Sequence, residues 1–302
     1  MKELLSPKQV AQALGVSESS LKRWCDQGLI ATVRTCGGHR RLALADVLRF
    51  VRDGERPLVS PEALGLPAVR EASGKCLIRA RELLSTALLE GNEPLCRRVI
   101  FDLYLAKHPL SAICDDVVAS AFSQIGERWS CQQAEVYQER RACEIMLRIL
   151  HALRDTQQGF DPRWLAIGGT PAGDCYTLPT AMVELVFREA GWTAVSLGAS
   201  IPLESLAAAV RTHRPRVLWL SSSHIADPAS FIDEYSRLFE VARQLQTAIV
   251  VGGQALVPAI RQRIRYASYC DTIRQLEQFA LSLRGADTGA GKVADGSGAL
   301  GR

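Results

Sequence analysis

Residues 14–30, LGVSESSLKRWCDQGLI, and residues 34–41, RTCGGHRR, decide the fold of the N-terminal part of the chain. Serine before a helical pattern is a preferred N-cap, so Ser17 is predicted to start a helix. Ser6-Pro7 starts an earlier helix in the same way, and Gly15 ends it. Two helices joined by a tight turn that contains glycine predict a helix-turn-helix, with the second helix placed to enter the major groove of DNA.

A basic hairpin is predicted directly after these helices. Gly37 and Gly38 stand at its tip, and its arms carry four residues that are cationic or become so on protonation: Arg34, His39, Arg40 and Arg41. Such a wing places cations and backbone N–H groups against the phosphates of a duplex.

Together these motifs resemble the winged helix of MerR-type and excisionase-type regulators. The wing pattern of that family is matched at Arg34, Thr35, Gly37, Gly38, His39, Arg40 and Arg41, while Leu42 stands where an aromatic residue is usual. The resemblance implies base-edge contacts by Ser17, Glu18, Ser19, Lys22 and Arg23. It implies contacts to the DNA backbone by Arg34, His39, Arg40 and Arg41. A small helical adaptor with a basic hairpin is the alternative interpretation.

The charge distribution agrees with a polyanionic partner. Residues 1–56 contain ten Lys or Arg and six Asp or Glu, a surplus of four, and the net charge of the whole chain is also +4. All the excess positive charge therefore belongs to the predicted winged helix, which favours duplex DNA as the partner.

The 302 residues fit several domains better than one core. The fold class predicted is multidomain α and α/β: a winged helix-turn-helix, a four-helix bundle and a Rossmann-like open parallel sheet. Bundle breaks are expected near residues 91–92 and 108–109. The domain bounds are 1–56 for the winged helix, 57–72 for a proline-containing linker, 73–158 for the bundle, 162–284 for the α/β domain and 285–302 for a disordered tail.

Periodicity predicts the α/β domain. Short apolar runs alternate with helical stretches, which is typical of a parallel sheet covered on both faces. The runs are 164–167, 194–197, 217–220 and 248–251, and the helical stretches are 180–189, 203–212 and 231–244. A ligand crevice in such a sheet lies at the carboxyl ends of the strands.

The same region resembles cobalamin-binding domains, which carry Asp-x-His-x-x-Gly, Ser-x-Leu and Gly-Gly at characteristic intervals. The corresponding residues are 174–179, 221–223 and 252–253. The resemblance implies that the nucleotide tail of the cofactor enters between the strands and that a loop histidine ligates cobalt. It assigns cofactor contacts to Asp174, Tyr176, Ser221, Ser223, Gly252 and Gly253. In this chain Tyr176 occupies the histidine position and Pro179 replaces the glycine.

The bundle resembles the helical cap over the cobalamin upper face in light-sensing, B12-dependent repressors. There a tryptophan is followed, after nine residues, by Glu-His; here Trp129 is followed by Glu139-Arg140. Both expected imidazoles are therefore replaced. Three alternatives remain: adenosylcobalamin bound without histidine ligation, a different tetrapyrrole or other small ligand in the crevice, or a sensor without ligand. No metal site is predicted.

These features predict a sequence-specific transcription regulator, with repression favoured over activation. One winged helix covers few base pairs, so a homo-oligomer is expected, with the C-terminal region controlling its assembly. The alternatives are an antirepressor or adaptor that binds another regulator and, less favoured, a component of a cobalamin-dependent enzyme. The chain contains no barrel-sized catalytic domain, so it is predicted not to be an enzyme.

Targeting signals are not visible in the sequence. The first residues contain no apolar segment of a secretory signal, and no apolar run approaches the length of a membrane span, which predicts a cytoplasmic protein. The nine cysteines form no CxxC motif and are predicted to be reduced thiols.

Overall fold

The fold was analysed in a computed structural model that describes residues 4–35, 37–54, 56, 58–65, 74–131, 135–157 and 161–290. Of residues 74–75, 129–130 and 286–290 only the backbone is described. The chain forms two compact units, residues 1–158 and residues 159–302. No helix in the described part of the chain is long and apolar enough to cross a membrane.

The first unit begins with the winged helix. Its elements are β1 (Leu4–Leu5), α1 (Pro7–Ala13), α2 (Glu18–Asp26), β2 (Val33–Arg34), β3 (Arg40–Ala43) and α3 (Leu44–Asp53). The strands pair antiparallel in the order β1-β3-β2. Ser6 and Ser17 cap α1 and α2 as predicted, because each side chain accepts a hydrogen bond from a backbone N–H in the first turn.

Apolar side chains from all three helices fill the core of the winged helix. Leu21, Leu42 and Val47 are fully buried, and Trp24 packs against Phe50 with 5.3 Å between the ring centroids. Leu42, at the position where an aromatic is usual, therefore serves as a core residue. Burial of these side chains stabilises the hairpin against α2.

The segment that was predicted to be a linker packs against the winged helix. Residues 58–65 fold back on α1: the backbone N–H groups of Val59 and Ser60 donate to the carbonyl of Ala13, and a 3-10 turn follows at Pro61–Leu64. Pro61 and Leu64 are buried, so apolar burial holds this segment where its proline content predicted a free connection. Residues 57 and 66–72 of the predicted linker lie outside the described residues.

The predicted helical bundle completes the first unit. Its helices are α4 (Gly74–Glu90), α5 (Glu93–Leu105), α6 (Leu110–Ala112), which continues through a π-helical segment (Ile113–Ala119) into α7 (Ser120–Ser130), and α8 (Val136–Asp155). The breaks fall after α4 and α5, as predicted. Helix α3 contacts α5 and α8, and the guanidinium of Arg52 lies 4.0 Å from the ring centre of Tyr104.

The second unit is an open parallel α/β domain, as predicted. Its elements are β4 (Asp161–Gly169), α9 (Thr177–Glu189), β5 (Trp192–Ser196), α10 (Leu203–His213), β6 (Val217–Ser221), α11 (Pro228–Gln244), β7 (Ala248–Gly252), α12 (Pro258–Arg261), β8 (Ser268–Cys270) and α13 (Ile273–Ala290). The strand order is β5-β4-β6-β7-β8.

Two features of this unit differ from the prediction. The fifth strand, β8, was not predicted because its three half-buried residues have no apolar run. The tail was expected to begin at residue 285, whereas α13 continues to Ala290. A single glycine costs a helix about 1 kcal/mol relative to alanine, which is not enough for Gly285 to end it. Residues 291–302 lie outside the described residues.

Each face of the sheet has its own core. Helices α10 and α11 cover one face with mostly aliphatic residues. The other face, toward α9 and α13, carries four large aromatic side chains, which we call the aromatic cluster: Trp164, Phe187, Trp192 and Trp219.

Candidate functional site

A recess between α2 and the hairpin collects many of the predicted DNA-binding residues. It measures about 410 Å³, and its polar lining is Glu18, Ser19, Lys22, Arg34 and Arg40. Pro7, Leu21 and Cys25 complete the wall. We call this the recognition recess. It joins side chains of the second helix to side chains of the wing, as a winged helix on DNA requires.

The wing arginines in the recess face each other across the hairpin. Arg34 and Arg40 are register partners in β2 and β3, and like charges placed opposite each other on a sheet repel. Arg40 is paired with Asp26 at the end of α2, with 2.7 Å between Nη2 and Oδ1, and its Nη1 lies 3.4 Å from the carbonyl of Lys22. The Asp26 carboxylate raises the pKa of Arg40. Arg40 therefore ties the wing to α2 within the protein.

The tip of the wing is shaped by its backbone. The N–H of Gly38 donates to the carbonyl of Thr35 at 2.8 Å, and the Thr35 hydroxyl accepts from the N–H of His39 at 3.2 Å. Gly38 has a φ of +77°, which favours glycine. Thr35, Gly37 and Gly38 thus form the turn that exposes His39; Cys36 lies outside the described residues.

The other predicted DNA contacts divide into two groups. Ser17 caps α2 through Ser20, and its hydroxyl lies 2.8 Å from that of Ser19, so both hydroxyls already have protein partners. Arg23 is exposed on α2 but does not line the recess. Arg41 is half-buried, and its Nη1 donates to the carbonyl of Arg40 at 3.1 Å.

In the second unit, Asp174 connects two loops at the carboxyl ends of the strands. The carboxylate is fully buried and accepts three backbone hydrogen bonds: from Tyr176 at 3.0 Å, from Ser223 at 2.6 Å and from His224 at 3.1 Å. The loop after β4 is thereby fixed to the loop after β6. Asp174 and Ser223 are brought together as the motif implies, but they bond to each other.

The position of the expected histidine has a different chemistry here. Tyr176 is 41% exposed and directly precedes α9, and its side chain has no imidazole nitrogen with which to ligate cobalt. Pro179 is the third residue of α9, where the helix needs no backbone donor. The loop therefore ends in a regular helix start.

The glycine pair allows the chain to pack on itself. A Cβ at Gly252 would lie 2.8 Å from the carbonyl of Cys270, and a Cβ at Gly253, whose φ is +108°, would overlap the backbone of Ser222. Ser221 and Ser222 are buried, and the Ser222 hydroxyl has no hydrogen-bond partner among the described residues. The space beside Gly253, to which the resemblance assigns a cofactor contact, is thus filled by the backbone of Ser222. These residues do not fit a histidine-ligated cobalamin.

The cap residues lie in the first unit. Glu139 is half-buried and Arg140 is exposed on α8. Trp129 is a residue of α7, and only its backbone is part of the described structure. Within the described residues, no group of three His, Cys, Asp or Glu side chains is placed to hold a metal ion.

Two contacts in these sites were not predicted from sequence. Asp26 is the last residue of α2 and has no motif that connects it to the wing, and Trp219 lies inside an apolar run that predicts only a strand. In both cases the partner is distant in sequence: Arg40 for Asp26, and Thr180 for the indole N–H of Trp219 at 2.9 Å.

Comparisons with known families agree with this architecture. A model described as a helix-turn-helix domain matches residues 4–55, and two models described as B12 binding domains match residues 80–154 and 164–277. The chain therefore matches a helix-turn-helix domain at its N-terminus, followed by two regions that match B12 binding domains. A search of curated proteins gives no match.

Among solved structures, the chain resembles the monomethylamine corrinoid protein of Methanosarcina barkeri, with a TM-score of 0.58 and 15% identity over 70% of this chain and 100% of that one. It also matches a cobalamin-binding protein of Desulfitobacterium hafniense, with a TM-score of 0.34, 16% identity and coverages of 68% and 97%. The first likeness establishes a shared fold. The TM-score of the second is too low to support an argument.

Proposed function

We propose that this protein is a sequence-specific DNA-binding transcription regulator, a repressor, whose C-terminal region controls its oligomerisation in the cytoplasm. The observation that carries the proposal is the recognition recess. There Lys22 of α2 and Arg34 of the wing line the same surface. A winged helix reads base edges with the helix and fixes its register with phosphate contacts from the wing.

Self-association is part of the proposal because a single winged helix reads only a short half-site. A repressor that selects one promoter needs two or more such units at fixed spacing. The B12-binding regions follow the DNA-binding domain in the chain, which supports a sensor that changes the assembly state.

The direct test is a DNase footprint with the full chain on the DNA upstream of its own coding sequence. We expect a discrete protected region. Replacing both Lys22 and Arg34 with alanine should abolish this protection and reduce the slope of log K against log salt by about two. Replacing the exposed Arg79 and Arg98 of α4 and α5 is the matched control. If the wild-type chain shows only weak, salt-sensitive binding without a footprint, an adaptor that binds another regulator replaces this proposal.

A second candidate function is a component of a cobalamin-dependent enzyme. The likeness in fold to a corrinoid protein favours it. An enzyme component needs a bound corrinoid, whereas the proposed regulator can function without one. To test for corrinoid binding, the purified chain should be mixed with adenosylcobalamin in the dark and desalted, and its visible spectrum recorded. We expect no spectrum of nitrogen-ligated cobalt, because Tyr176 replaces the histidine. A retained spectrum of that kind would overturn our interpretation of Tyr176 and, together with a missing footprint, would favour the enzyme component.

A further inference from the structure

Trp219 occupies a central position on the face of the sheet that meets α9. Side chains alternate along a strand, so Trp219 and Ser221 of β6 lie on the same face. The indole is 1% exposed, and its Nε1 donates to the hydroxyl of Thr180 on α9 at 2.9 Å. Its ring stacks on Phe187, with 5.7 Å between centroids. The indole is therefore fixed by both a polar and an aromatic contact.

Gly168 is the counterpart of this tryptophan. It is the register partner of Trp219 in the neighbouring strand β4, and a Cβ at this glycine would overlap both the carbonyl and the indole of Trp219. The large ring thus uses the room left by the missing side chain. Together, Gly168, Trp219 and Thr180 close the space between β4, β6 and α9.

In the cobalamin-binding domains that this region resembles, the nucleotide tail of the cofactor enters between the strands, and the serine that corresponds to Ser221 leaves room for it. In this chain the same face is filled, two residues earlier in β6, by an indole, a bicyclic ring close in size to the benzimidazole base of the tail.

We propose that the indole of Trp219 replaces the nucleotide base of cobalamin, so that the α/β domain has a complete core without cofactor and does not recognise a corrinoid by its tail. The inference rests on the proposed function only in treating the domain as cobalamin-type. It is independent of DNA binding, so a missing footprint would leave it standing. It differs from the loss of the histidine at 176, which concerns cobalt and not the tail.

The first experiment compares two corrinoids on the wild-type full chain by equilibrium dialysis. Hydroxocobalamin carries the nucleotide tail, and diaquacobinamide lacks it. We expect either that neither is retained or that their dissociation constants differ by less than tenfold. A preference for hydroxocobalamin of tenfold or more would overturn the proposal, because only burial of the tail distinguishes the two ligands to that extent.

The second experiment opens the space. Trp219→Ala should melt at a lower temperature than the wild type, and 1 mM 5,6-dimethylbenzimidazole should raise its Tm by at least 2 °C while leaving the wild type unchanged. Phe101→Ala, which opens a cavity at a residue of α5 that is 2% exposed, is the control and should not respond. If a folded Trp219→Ala protein shows no shift, the base does not fit the space of the indole and the proposal fails. If this variant does not fold, the dialysis result decides.

Discussion

The recognition recess and the crevice of the α/β domain were identified in the same way, by residue types at family spacing, but their side chains are used differently. In the recess Lys22 and Arg34 remain on the surface, and Arg40 has a single internal carboxylate partner. In the crevice the Asp174 carboxylate accepts three backbone N–H groups, and Gly253 is covered by the chain's own backbone. Charged groups that remain at the surface are available to an external partner, whereas polar groups that are hydrogen-bonded within the protein stabilise the fold.

The largest expected effect concerns the α/β domain, whose crevice is filled by the protein itself. Gly168→Ala should lower the free energy of unfolding of the second unit by more than ~3 kcal/mol, because the new Cβ overlaps backbone as well as the indole of Trp219. Urea denaturation followed by tryptophan fluorescence measures it. Gly126→Ala on α7, where nothing lies within 4 Å of the added Cβ, is the control and should stabilise by up to ~1 kcal/mol. Equal stabilities of Gly168→Ala and wild type would mean that the indole lies elsewhere.

The next prediction tests whether Asp174 holds the two crevice loops together without a ligand. Asp174→Ala should cost ~2–3 kcal/mol in the absence of any ligand, because it removes the partner of three backbone donors. Chemical denaturation of the purified chain without added corrinoid tests this, with the exposed Asp233→Ala of α11 as the control. A variant as stable as the wild type would show that the loops are organised by something other than this carboxylate.

A half-buried carboxylate without such donors, Asp102, should behave in the opposite way. Burial raises the pKa of Asp102 in α5 to about 6, and its Oδ1 has no partner among the described residues. The raised pKa means that folding favours the protonated acid, so wild-type stability falls as the pH rises from about 4 to about 6. Asp102→Asn should therefore gain ~1–2 kcal/mol at pH 7.5, after allowance for partial exposure, and nothing near pH 4. Denaturation at both pH values measures this, and a gain independent of pH would contradict the assignment.

The recess itself is tested through Asp26. Asp26→Asn removes the carboxylate that neutralises Arg40, so a cation becomes available to phosphate. Affinity for a duplex of unrelated sequence should rise several-fold, with the salt slope steeper by about one. Fluorescence anisotropy over a salt series measures both, with Asp53→Asn, exposed at the end of α3, as the control. An unchanged slope together with weaker binding would show that the pair positions the wing and does not mask charge.

The smallest effect concerns the hydroxyl of Ser222. It is buried without a partner among the described residues, so Ser222→Ala should change the free energy of unfolding by less than ~0.5 kcal/mol or raise it. Thr180→Val, which deprives the Trp219 indole of its acceptor, is the matched comparison and should cost ~1 kcal/mol or more. A large loss from Ser222→Ala would reveal a hydrogen bond that the structure lacks.

Most of the fold could be predicted because it depends on local signals. The caps at Ser6 and Ser17, the hairpin glycines and four of the five parallel strands follow from periodicity and turn chemistry within short windows. The short β8 and the end of α13 could not be predicted, because tertiary contacts and a marginal glycine cost decide them.

The sites were predictable to a smaller extent. The resemblance assigned DNA contacts to both Lys22 and Arg34, which line one recess in the structure. The sequence could not show that Asp26 pairs with Arg40 or that Gly168 leaves room for the indole of Trp219, since both pairs join residues far apart in the chain. A motif defined by spacing indicates where a ligand fits in relatives. It does not indicate whether side chains or backbone of this protein occupy that position.

The contact of Arg52 with Tyr104 has a mechanical consequence. The Tyr104 hydroxyl lies 2.9 Å from that of Thr156, the residue that caps the end of α8, and Arg52 belongs to the winged helix through α3. These three side chains form a direct connection between the end of α8, where the chain leaves the first unit, and α3 of the winged helix. The two ends of the first unit are therefore held together by side-chain contacts and not only by the helices between them.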